Sequence, residues 1–496
     1  MTTRIHDLLA IQAASRPDHL AIREGDGHDY TYGVLQDAVR SMAADLTDHG
    51  LRPGDRLLVL AENSAALVGL VMAASSLNAI AVPINARMTN HELHRIATHC
   101  GPRLIVYLRN VSDAAEAHGK CAGAVEWVTP LGDLLISADP LDATPEPLRD
   151  DAGQIAVILY TTGTTGTPKG VMLSHANLIF GGTTSAEMRG LVPDDLILGV
   201  LPMTHVFGLT SMMVGGLSAG ATLWLHARFS APDVVDALQA GVTVLPAVPQ
   251  IHALVMAEAA RRGMDHVPGG RMRYISSGAA PLDPEWKRQA ERFYGIALQN
   301  GYGMTETTAG VSLTVNPIGV ADVSVGPALP GVELRLRNIG DDGVGEVQTR
   351  GPHVTPGYFR NEQATNEVFD ADGFLCTGDL GRIDESGNLH IVGRAKELII
   401  RGGFNIYPPE VESALNDHPA VLQTAVIGRA VEGGNEEVLA FCQVADLSDV
   451  TEAELVEHAV ARLSPYKRPA RIYIATELPS APSGKILKNK LLDSLK

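Results

Sequence analysis

The chain has 496 residues, which is too long for one compact core, so we expect two or more domains. Hydrophobic residues make up 45% of the sequence, a normal share for a globular protein, and this excludes a wholly disordered chain. The formal net charge is −18 at pH 7. Because such a charge repels nucleic acid, we expect no nucleic-acid partner, and an anionic ligand must be bound by a local cluster of donors.

The cysteines and the apolar stretches indicate a cytoplasmic protein without an integral membrane segment. The four cysteines are far apart and include no CxxC pair: Cys100, Cys121, Cys376 and Cys442. This favours a reduced protein over a disulfide scaffold or a zinc site. The first residues lack the basic and apolar regions of a signal peptide. Polar residues and a proline interrupt the longest apolar stretch, residues 65–84, so we expect a buried helix and strand there.

The first part of the chain alternates between strand and helix patterns. The predicted elements are strands at 21–23 and 30–32, a helix over 35–49, a strand at 56–60, a helix over 64–77 and a strand at 79–83. Further buried strands are predicted at 198–201, 242–245 and 272–276. This alternation predicts parallel sheets flanked by helices, which is the α/β class.

From about residue 331 the pattern changes to short alternating strands separated by Gly/Asp turns, which predicts a small antiparallel or barrel-like subdomain. A second boundary is predicted near Gly393–Lys396, where a glycine-punctuated loop begins. We therefore expect a large N-terminal domain over residues 1–394, with mixed or parallel sheets, helices and the subdomain. A small, mobile α/β domain would follow over residues 395–496.

A loop rich in glycine and threonine, residues 161–170, follows the predicted strand at 155–160. Its sequence is TTGTTGTPKG, with five threonines, three glycines and one lysine. Backbone N–H groups freed by glycine, together with hydroxyls and an ammonium group, suit a polyphosphate. The loop is not a Walker A motif, because a proline precedes the lysine and a glycine follows it. A flexible surface loop is the alternative for this segment taken alone.

Four further motifs follow in order: YGMTE at 302–306, TGD at 377–379, GR at 393–394 and PSGKI at 482–486. Together with the loop, this set resembles the acyl-adenylate-forming superfamily. That superfamily includes acyl- and aryl-CoA synthetases, beetle luciferases and the adenylation domains of nonribosomal peptide synthetases. The resemblance covers essentially the whole chain. It implies an enzyme that uses ATP, Mg²⁺ and coenzyme A.

The resemblance implies a set of nucleotide contacts. The loop would surround the ATP β- and γ-phosphates through Thr161, Thr162, Gly163, Thr164, Thr165 and Lys169. The family usually has serine where Thr162 stands. The adenosine would be held by Gly278, Ala279, Gly301, Tyr302, Gly303, Met304, Asp379 and Arg394. Of these, Tyr302 would stack on adenine and Asp379 would accept the ribose hydroxyls, while Arg394 would reach the ribose or the phosphates.

The catalytic residues implied by the resemblance are Thr305, Glu306, His205 and Lys485. Thr305 would donate to a phosphate, and Glu306 would coordinate Mg²⁺, a hard cation that prefers carboxylate oxygen. Lys485 would offset the negative charge when a carboxylate attacks the α-phosphorus. Taken alone, Tyr302 could be a packing residue, Glu306 a solvated carboxylate, and Lys485 a solvated lysine like Lys488 and Lys490.

The second half-reaction would depend on a rotation between the two domains. Lys396 lies where the family has its interdomain hinge. Gly402 and Gly403 would leave room for the pantetheine arm of coenzyme A, and without the resemblance they would be a plain hairpin turn. Lys467, with Arg468 beside it, would contact the phosphates of coenzyme A.

His205 stands in a segment that resembles the family's Pro-x-x-His segment beside the acyl carbonyl. An imidazole there argues against an amino-acid substrate, although the ring could instead be bound by a backbone carbonyl. The expected pocket walls are mostly apolar: residues 203–209, 224–229, 245–250 and 276–280. We therefore expect an apolar monocarboxylic acid, fatty or aromatic, although Arg228 could anchor a dicarboxylate.

The predicted function is an AMP-forming carboxylate–CoA ligase whose partner is a small carboxylic acid. A homo-oligomer is compatible with the sequence. The first alternative is a stand-alone adenylating enzyme that passes its acyl group to a carrier protein. A protein that only binds nucleotide, and a luciferase-type oxygenase, are the others.

Overall fold

The computed structural model describes residues 3–138, 143–162, 168–267, 270–278, 282–401, 404–431, 435–480 and 486–492, with the side chains of Thr162 and Asn435 left out. The chain divides into two compact units. The first comprises Met1–Glu333 and Thr349–Leu375, and the second comprises Leu334–Gln348 and Cys376–Lys496.

Fifteen strands of the first unit are described. They are β1 (Leu20–Glu24), β2 (Asp29–Thr31), β3 (Arg56–Ala61), β4 (Ile80–Asn85), β5 (Leu104–Tyr107), β6 (Val125–Thr129), β7 (Gly132–Ala138), β8 (Ile155–Thr162), β9 (Pro168–Ser174), β10 (Leu196–Gly199), β11 (Thr222–Leu225), β12 (Val244–Ala247), β13 (Tyr274–Gly278), β14 (Leu298–Tyr302) and β15 (Ser312–Leu313). They form an eight-stranded sheet in the order β15-β14-β13-β12-β10-β11-β1-β2 and a seven-stranded sheet in the order β6-β7-β5-β3-β4-β8-β9.

Both sheets are parallel in the centre and antiparallel at their edges. In the first sheet, β1, β11, β10, β12, β13 and β14 pair in parallel, and β2 and β15 add antiparallel edges. In the second, β5, β3, β4 and β8 are parallel. Because the carboxyl ends of parallel strands meet at one edge of a sheet, the loops after these strands are placed together, and ligands of α/β proteins bind there.

Eleven described helices accompany these sheets. They are α1 (Ile5–Ser15), α2 (Tyr32–Asp48), α3 (Ala65–Ser76), α4 (Asn90–Cys100), α5 (Asp113–Cys121), α6 (His175–Met188), α7 (Gly215–Ala219), α8 (Ala231–Gln239), α9 (Pro249–Arg261), α10 (Pro284–Tyr294) and α11 (Glu362–Val368). A π-helix, Phe207–Val214, precedes α7. Helix α3 shows why an apolar run folds this way. Ser64 caps it by accepting the N–H of Leu67, and every residue from Ala65 to Ser75 is buried.

The second unit has its own strands and helices. They are β16 (Glu333–Arg337), β17 (Gly345–Arg350), β18 (Leu375–Ile383), β19 (Leu389–Arg394), β20 (Ile399–Arg401), β21 (Phe404–Ile406), β22 (Val421–Val431), β23 (Asn435–Val444), β24 (Arg471–Ala475), α12 (Pro408–Asn416) and α13 (Glu452–Arg462). Strands β16–β19 form a four-stranded sheet, β20 and β21 a hairpin, and β22–β24 a three-stranded sheet. Helices α12 and α13 pack on the three-stranded sheet around Val411, Leu415 and Leu455.

This architecture confirms the predicted fold class, a mixed α/β protein with a large N-terminal part and a small C-terminal part. None of the described helices has the length and hydropathy needed to cross a lipid bilayer. The predicted strands at 242–245 and 272–276 are found two residues later in the chain, as β12 and β13. The backbone of Thr243 still bonds to both neighbouring segments, because its N–H donates to the carbonyl of Leu196 and its carbonyl accepts the N–H of Arg273, so the difference lies only in where the regular strands begin.

Candidate active site

The glycine/threonine loop connects two paired strands. Strands β8 and β9 are antiparallel, with Thr161 opposite Lys169 and Thr162 opposite Pro168, so the two ends of the loop are held side by side. Gly163, Thr164 and Thr165 lie outside the described residues. The ammonium group of Lys169 stands 4.8 Å from the centre of the Tyr358 ring. This cation–π contact places the lysine at the base of the loop.

Glu306 is buried, and Tyr358 binds its carboxylate. The Tyr358 hydroxyl donates to Glu306 Oε1 at 2.7 Å, and the N–H of Thr355 donates to the Glu306 backbone carbonyl at 2.8 Å. Burial, and then the negative charge of Glu306, raise the pKa of Tyr358, so its hydroxyl remains a neutral donor. Tyr358 therefore joins Lys169 to Glu306. Sequence reasoning missed it, because nothing local distinguishes this tyrosine from a packing residue.

The segment from Gly301 to Glu306 packs closely against the residues that follow it. A Cβ at Gly303 would lie 1.9 Å from the carbonyl oxygen of Ala309, so no larger residue fits there. The N–H of Met304 donates to the Thr307 hydroxyl at 2.8 Å. Thr305 and Glu306 then lie in a buried 3₁₀ turn, Thr305–Thr307. Tyr302, at the end of β14, is only partly buried and so presents part of its ring for stacking.

Gly278 and Gly301 are neighbours on adjacent strands. They are register partners in the parallel pair β13–β14. A Cβ at Gly278 would stand 3.2 Å from Cε1 of Phe207, the first residue of the π-helix. The missing side chains leave the ends of both strands open to close approach. Ala279, which was predicted beside them, lies outside the described residues.

His205 is exposed and lies in a turn closed by the chain itself. Its N–H donates to the carbonyl of Pro202 at 3.1 Å, and its Nδ1 accepts the N–H of Phe207 at 3.3 Å. This bond assigns the proton of the neutral ring to Nε2. The predicted alternative, a ring bound by a backbone carbonyl, is not what is seen at Nδ1, whose partner is an N–H.

Asn63, another residue that sequence reasoning missed, holds the segment before His205. The residue is buried at the carboxyl end of β3. Its amide donates to the carbonyls of Gly199 at 3.1 Å and Leu201 at 2.9 Å, and its Oδ1 accepts the N–H of Met203 at 2.8 Å. A residue of the seven-stranded sheet thus positions a segment that leaves the eight-stranded one.

Arg228, considered as an anchor for a dicarboxylate, is already paired. Its Nε lies 2.8 and 3.0 Å from the two carboxylate oxygens of Glu62, whose side chain is 2% exposed. Arg87 approaches the same carboxylate at 3.6 Å. The charge of Arg228 is therefore balanced within the protein.

The second unit contains the predicted ribose-binding residues as a pair. Asp379 and Arg394 are register partners in the hairpin β18–β19, and Arg394 Nε lies 3.0 Å from Asp379 Oδ1. Asp379 is buried, whereas Arg394 is partly exposed. The N–H of Asp379 donates to the Thr377 hydroxyl at 3.1 Å. The structure thus brings together two residues that the sequence placed fifteen positions apart.

The remaining predicted residues of this unit have varied surroundings. Lys396 is exposed in the 3₁₀ turn Ala395–Glu397. Lys467 donates to Glu410, and although burial alone would lower its pKa, that carboxylate brings the pKa above its ordinary value. Lys488 is not a solvated tail residue: its Nζ lies 2.8 Å from Glu397 and 2.9 Å from Glu412. Three predicted site residues lie outside the described residues: Gly402, Gly403 and Lys485.

The chain matches known families along most of its length. The family described as AMP-binding enzyme matches residues 9–359, and the AMP-binding enzyme C-terminal domain matches residues 410–485. Sulfoacetate–CoA ligase from Cupriavidus necator is 33% identical, over 98% of this chain and 97% of that protein. Feruloyl-CoA synthase from an Amycolatopsis species is 32% identical, over 97% of this chain and 96% of that protein.

A solved structure extends this similarity to three dimensions. It is that of o-succinylbenzoate coenzyme A synthetase (MenE) from Bacillus subtilis in complex with ATP and magnesium ion. It superposes with a TM-score of 0.83 at 29% identity, over 98% of this chain and 99% of that chain.

Proposed function

This chain belongs to the AMP-binding enzyme family and is an ATP-dependent, AMP-forming acid–CoA ligase, and we propose that its acid is an apolar monocarboxylic acid, fatty or aromatic. The observation that best supports this chemistry is the cluster of Lys169, Tyr358 and Glu306 at the base of the phosphate loop. The matched relatives are CoA ligases and synthases, so the carrier-protein alternative is not supported.

The reaction has two steps. In the first, a carboxylate oxygen of the acid attacks the α-phosphorus of ATP, and the bond to the bridging oxygen breaks to release pyrophosphate. In the second, the thiol of coenzyme A attacks the acyl carbon, and AMP leaves. The first step brings two anions together, so it requires cationic groups positioned in advance.

For the phosphates, we propose that Thr161, Thr162, Gly163, Thr164, Thr165 and Lys169 donate to the β- and γ-phosphates. Glu306 fits a magnesium site, because Mg²⁺ typically takes one or two carboxylates and completes its shell with phosphate oxygens and water. One Glu306 oxygen is held by Tyr358, which fixes the direction of the other. Bound there, Mg²⁺ would neutralise charge on the phosphates. Thr305 would donate to a phosphate oxygen beside it.

For the nucleoside, the proposal places adenine on Tyr302, with Gly301, Gly303, Met304, Gly278 and Ala279 around it. Asp379 would accept the ribose hydroxyls. Arg394 supports this role, because its contact with one carboxylate oxygen holds the Asp379 side chain in a fixed orientation. Lys485 would supply the cation for attack at the α-phosphorus, an effect typically worth about 3–4 kcal/mol.

For the second step, we propose that a domain of residues 395–496 rotates about Lys396 relative to residues 1–394. Lys396 is exposed in its 3₁₀ turn, Ala395–Glu397, which suits a position where the backbone rotates. Gly402 and Gly403 would then admit the pantetheine arm. Lys467 would contact a phosphate of coenzyme A only by exchanging its present partner, Glu410.

For the acid, we propose that the carboxylate lies near His205 and the body along the π-helix and β13. The cysteine pattern supports a cytoplasmic location. The test is a screen for pyrophosphate release over straight-chain, branched and aromatic acids, with and without coenzyme A. We expect AMP and pyrophosphate in equal amounts when coenzyme A is present. An enzyme that released pyrophosphate with none of these acids would contradict the proposed acid class.

A further inference from the structure

Arg189 is a buried cation whose charge has no partner among the described side chains. It ends helix α6 and is 7% exposed. Its Nη1 donates to the carbonyl of Ser211 at 2.9 Å, and its Nε makes no hydrogen bond. The guanidinium lies between two aromatic rings, 5.9 Å from the centre of Phe207 and 5.7 Å from that of Tyr274.

Two other arginines of this unit, one fully buried and one exposed, have more partners. Arg56, which is fully buried, donates to four backbone carbonyls and has Glu146 at 3.5 Å. Arg273 pairs with Asp195 through two nitrogens. A charge in a low-dielectric interior needs such partners, since desolvation is costly. Arg189 has one carbonyl, two rings and the Tyr274 hydroxyl beside it, and its Nε has no acceptor among the described residues.

Arg189 lies at one end of a row of β13 side chains whose other end is near the proposed acid site. Successive side chains of a strand alternate between its two faces, so Tyr274, Ser276 and Gly278 share one face of β13. Gly278 touches Phe207 at one end of this row, and Tyr274 touches Arg189 at the other. Four residues of strand separate the two ends, a distance of about 13 Å.

An acid with its carboxylate near His205 would therefore extend along this row toward Arg189. Phe207 stands between the two ends and is only partly buried, and its ring would have to turn aside for the acid. The Tyr274 hydroxyl would be a second donor at the far end, because burial raises its pKa and keeps it protonated.

We propose that Arg189 binds an oxygen acceptor at the far end of the acid, either a hydroxyl or a carboxylate, and so determines which acids are activated. The proposal rests on the proposed function and deepens it: the body of the acid is apolar except for one oxygen-bearing group at its far end. A hydroxyl there would keep the acid a monocarboxylic acid, whereas a carboxylate would make it a dicarboxylic acid. Arg189 acts here on specificity and not on the reacting atoms.

The test uses the full-length enzyme and two matched series of acids. The first is cinnamic, para-hydroxycinnamic and para-carboxycinnamic acid, and the second is octanoic, omega-hydroxyoctanoic and octanedioic acid. Pyrophosphate release gives kcat/KM for each. We expect at least one series to show an acid with a distal oxygen preferred by about 10- to 100-fold over the unsubstituted acid. The two oxygenated members distinguish a hydroxyl from a carboxylate.

The variant Arg189→Met should abolish this preference while retaining activity on the unsubstituted acid. Arg273→Met is the control, because it removes a neighbouring, more exposed arginine whose charge is already paired with Asp195, and it should leave the preference unchanged. The proposal is overturned if the wild-type enzyme activates the unsubstituted acids as well as the oxygenated ones. This comparison needs no variant, so it holds even if Arg189→Met does not fold. Equal loss of preference in both variants would also overturn it. Absence of pyrophosphate release with every acid would instead contradict the proposed function.

Discussion

The two units treat their functional carboxylates in opposite ways. In the first, Glu306 is held by a neutral phenol, and no lysine or arginine among the described residues pairs with it. In the second, Asp379 is paired with Arg394, Glu410 with Lys467, and Glu412 with Lys488. The difference teaches that Glu306 is available to a cation from outside the chain, whereas these three acids of the second unit already have cationic partners within the protein.

Of the substitutions considered, removal of the Glu306 charge should have the largest effect on the rate of acyl-adenylate formation. Glu306→Gln retains an oxygen for the Tyr358 hydroxyl but cannot attract Mg²⁺ strongly. We expect acyl-adenylate formation to fall by about 10³-fold, because metal stabilisation of transition-state charge is worth several kcal/mol. Pyrophosphate release at saturating ATP measures it, and the midpoint of thermal unfolding should change little. A loss below tenfold would mean that Glu306 does not hold the metal.

The second unit should contribute its cation to the first step only. Lys485→Ala should slow pyrophosphate release by about 10²–10³-fold. The same variant should convert a supplied acyl-adenylate to the CoA ester at nearly the wild-type rate. Lys490→Ala is the matched control, since this exposed lysine lies five residues away on the same tail. Equal losses in the two half-reactions would contradict a role limited to adenylate formation.

A substitution at Tyr358 tests whether the hydrogen bond from its neutral hydroxyl to Glu306 contributes to activity. Tyr358→Phe removes one hydroxyl and keeps the ring beside Lys169. Because loss of an outer-shell hydrogen bond to a metal ligand typically costs about 10- to 100-fold, we expect that loss in kcat or in the affinity for Mg²⁺. A titration of activity against Mg²⁺ separates the two. If the variant shows only a lower unfolding temperature, the tyrosine is structural.

A fall in pH should destabilise the first unit, because this unit buries histidines in their neutral form. Burial lowers the pKa of His252 to about 4, from an ordinary value of 6.5. Since the folded-state pKa is the lower one, its contribution to stability is complete above pH 6.5 and declines as the pH falls toward 4. Between pH 6.5 and 5 the free energy of unfolding should decline by about 2 kcal/mol more in the wild type than in His252→Gln. Urea titrations at both pH values measure this, and parallel declines would contradict it.

The sequence predicted those parts of the molecule that local patterns encode. The alternation of apolar segments predicted β1, β3, β4 and α3 to within a few residues. The glycines of the 301–306 motif were expected to allow close backbone approach, and in the structure Gly303 lies against the carbonyl of Ala309, a contact that the sequence did not predict. The family resemblance then related these motifs to one reaction.

The residues that sequence reasoning missed act across long separations. Tyr358 reaches Glu306 over 52 positions, and Asn63 reaches Met203 over 140. Lys488 was expected to be solvated but bridges two carboxylates. In each case one tertiary hydrogen bond or ion pair determines the role, and no periodicity or spacing near the residue reports such a bond.

The asparagine at the end of β3 has a practical consequence for engineering. Its three hydrogen bonds fix the backbone of residues 199–203 from outside that segment. If residues 199–203 were replaced by the loop of another ligase, the backbone of the new loop would therefore still be held by Asn63 of the recipient protein, which is not part of the transferred segment. Chimeras designed to change acid preference should take the residue at position 63 and the loop from the same protein. Otherwise the backbone of the loop will adopt a different conformation and its side chains will be misplaced.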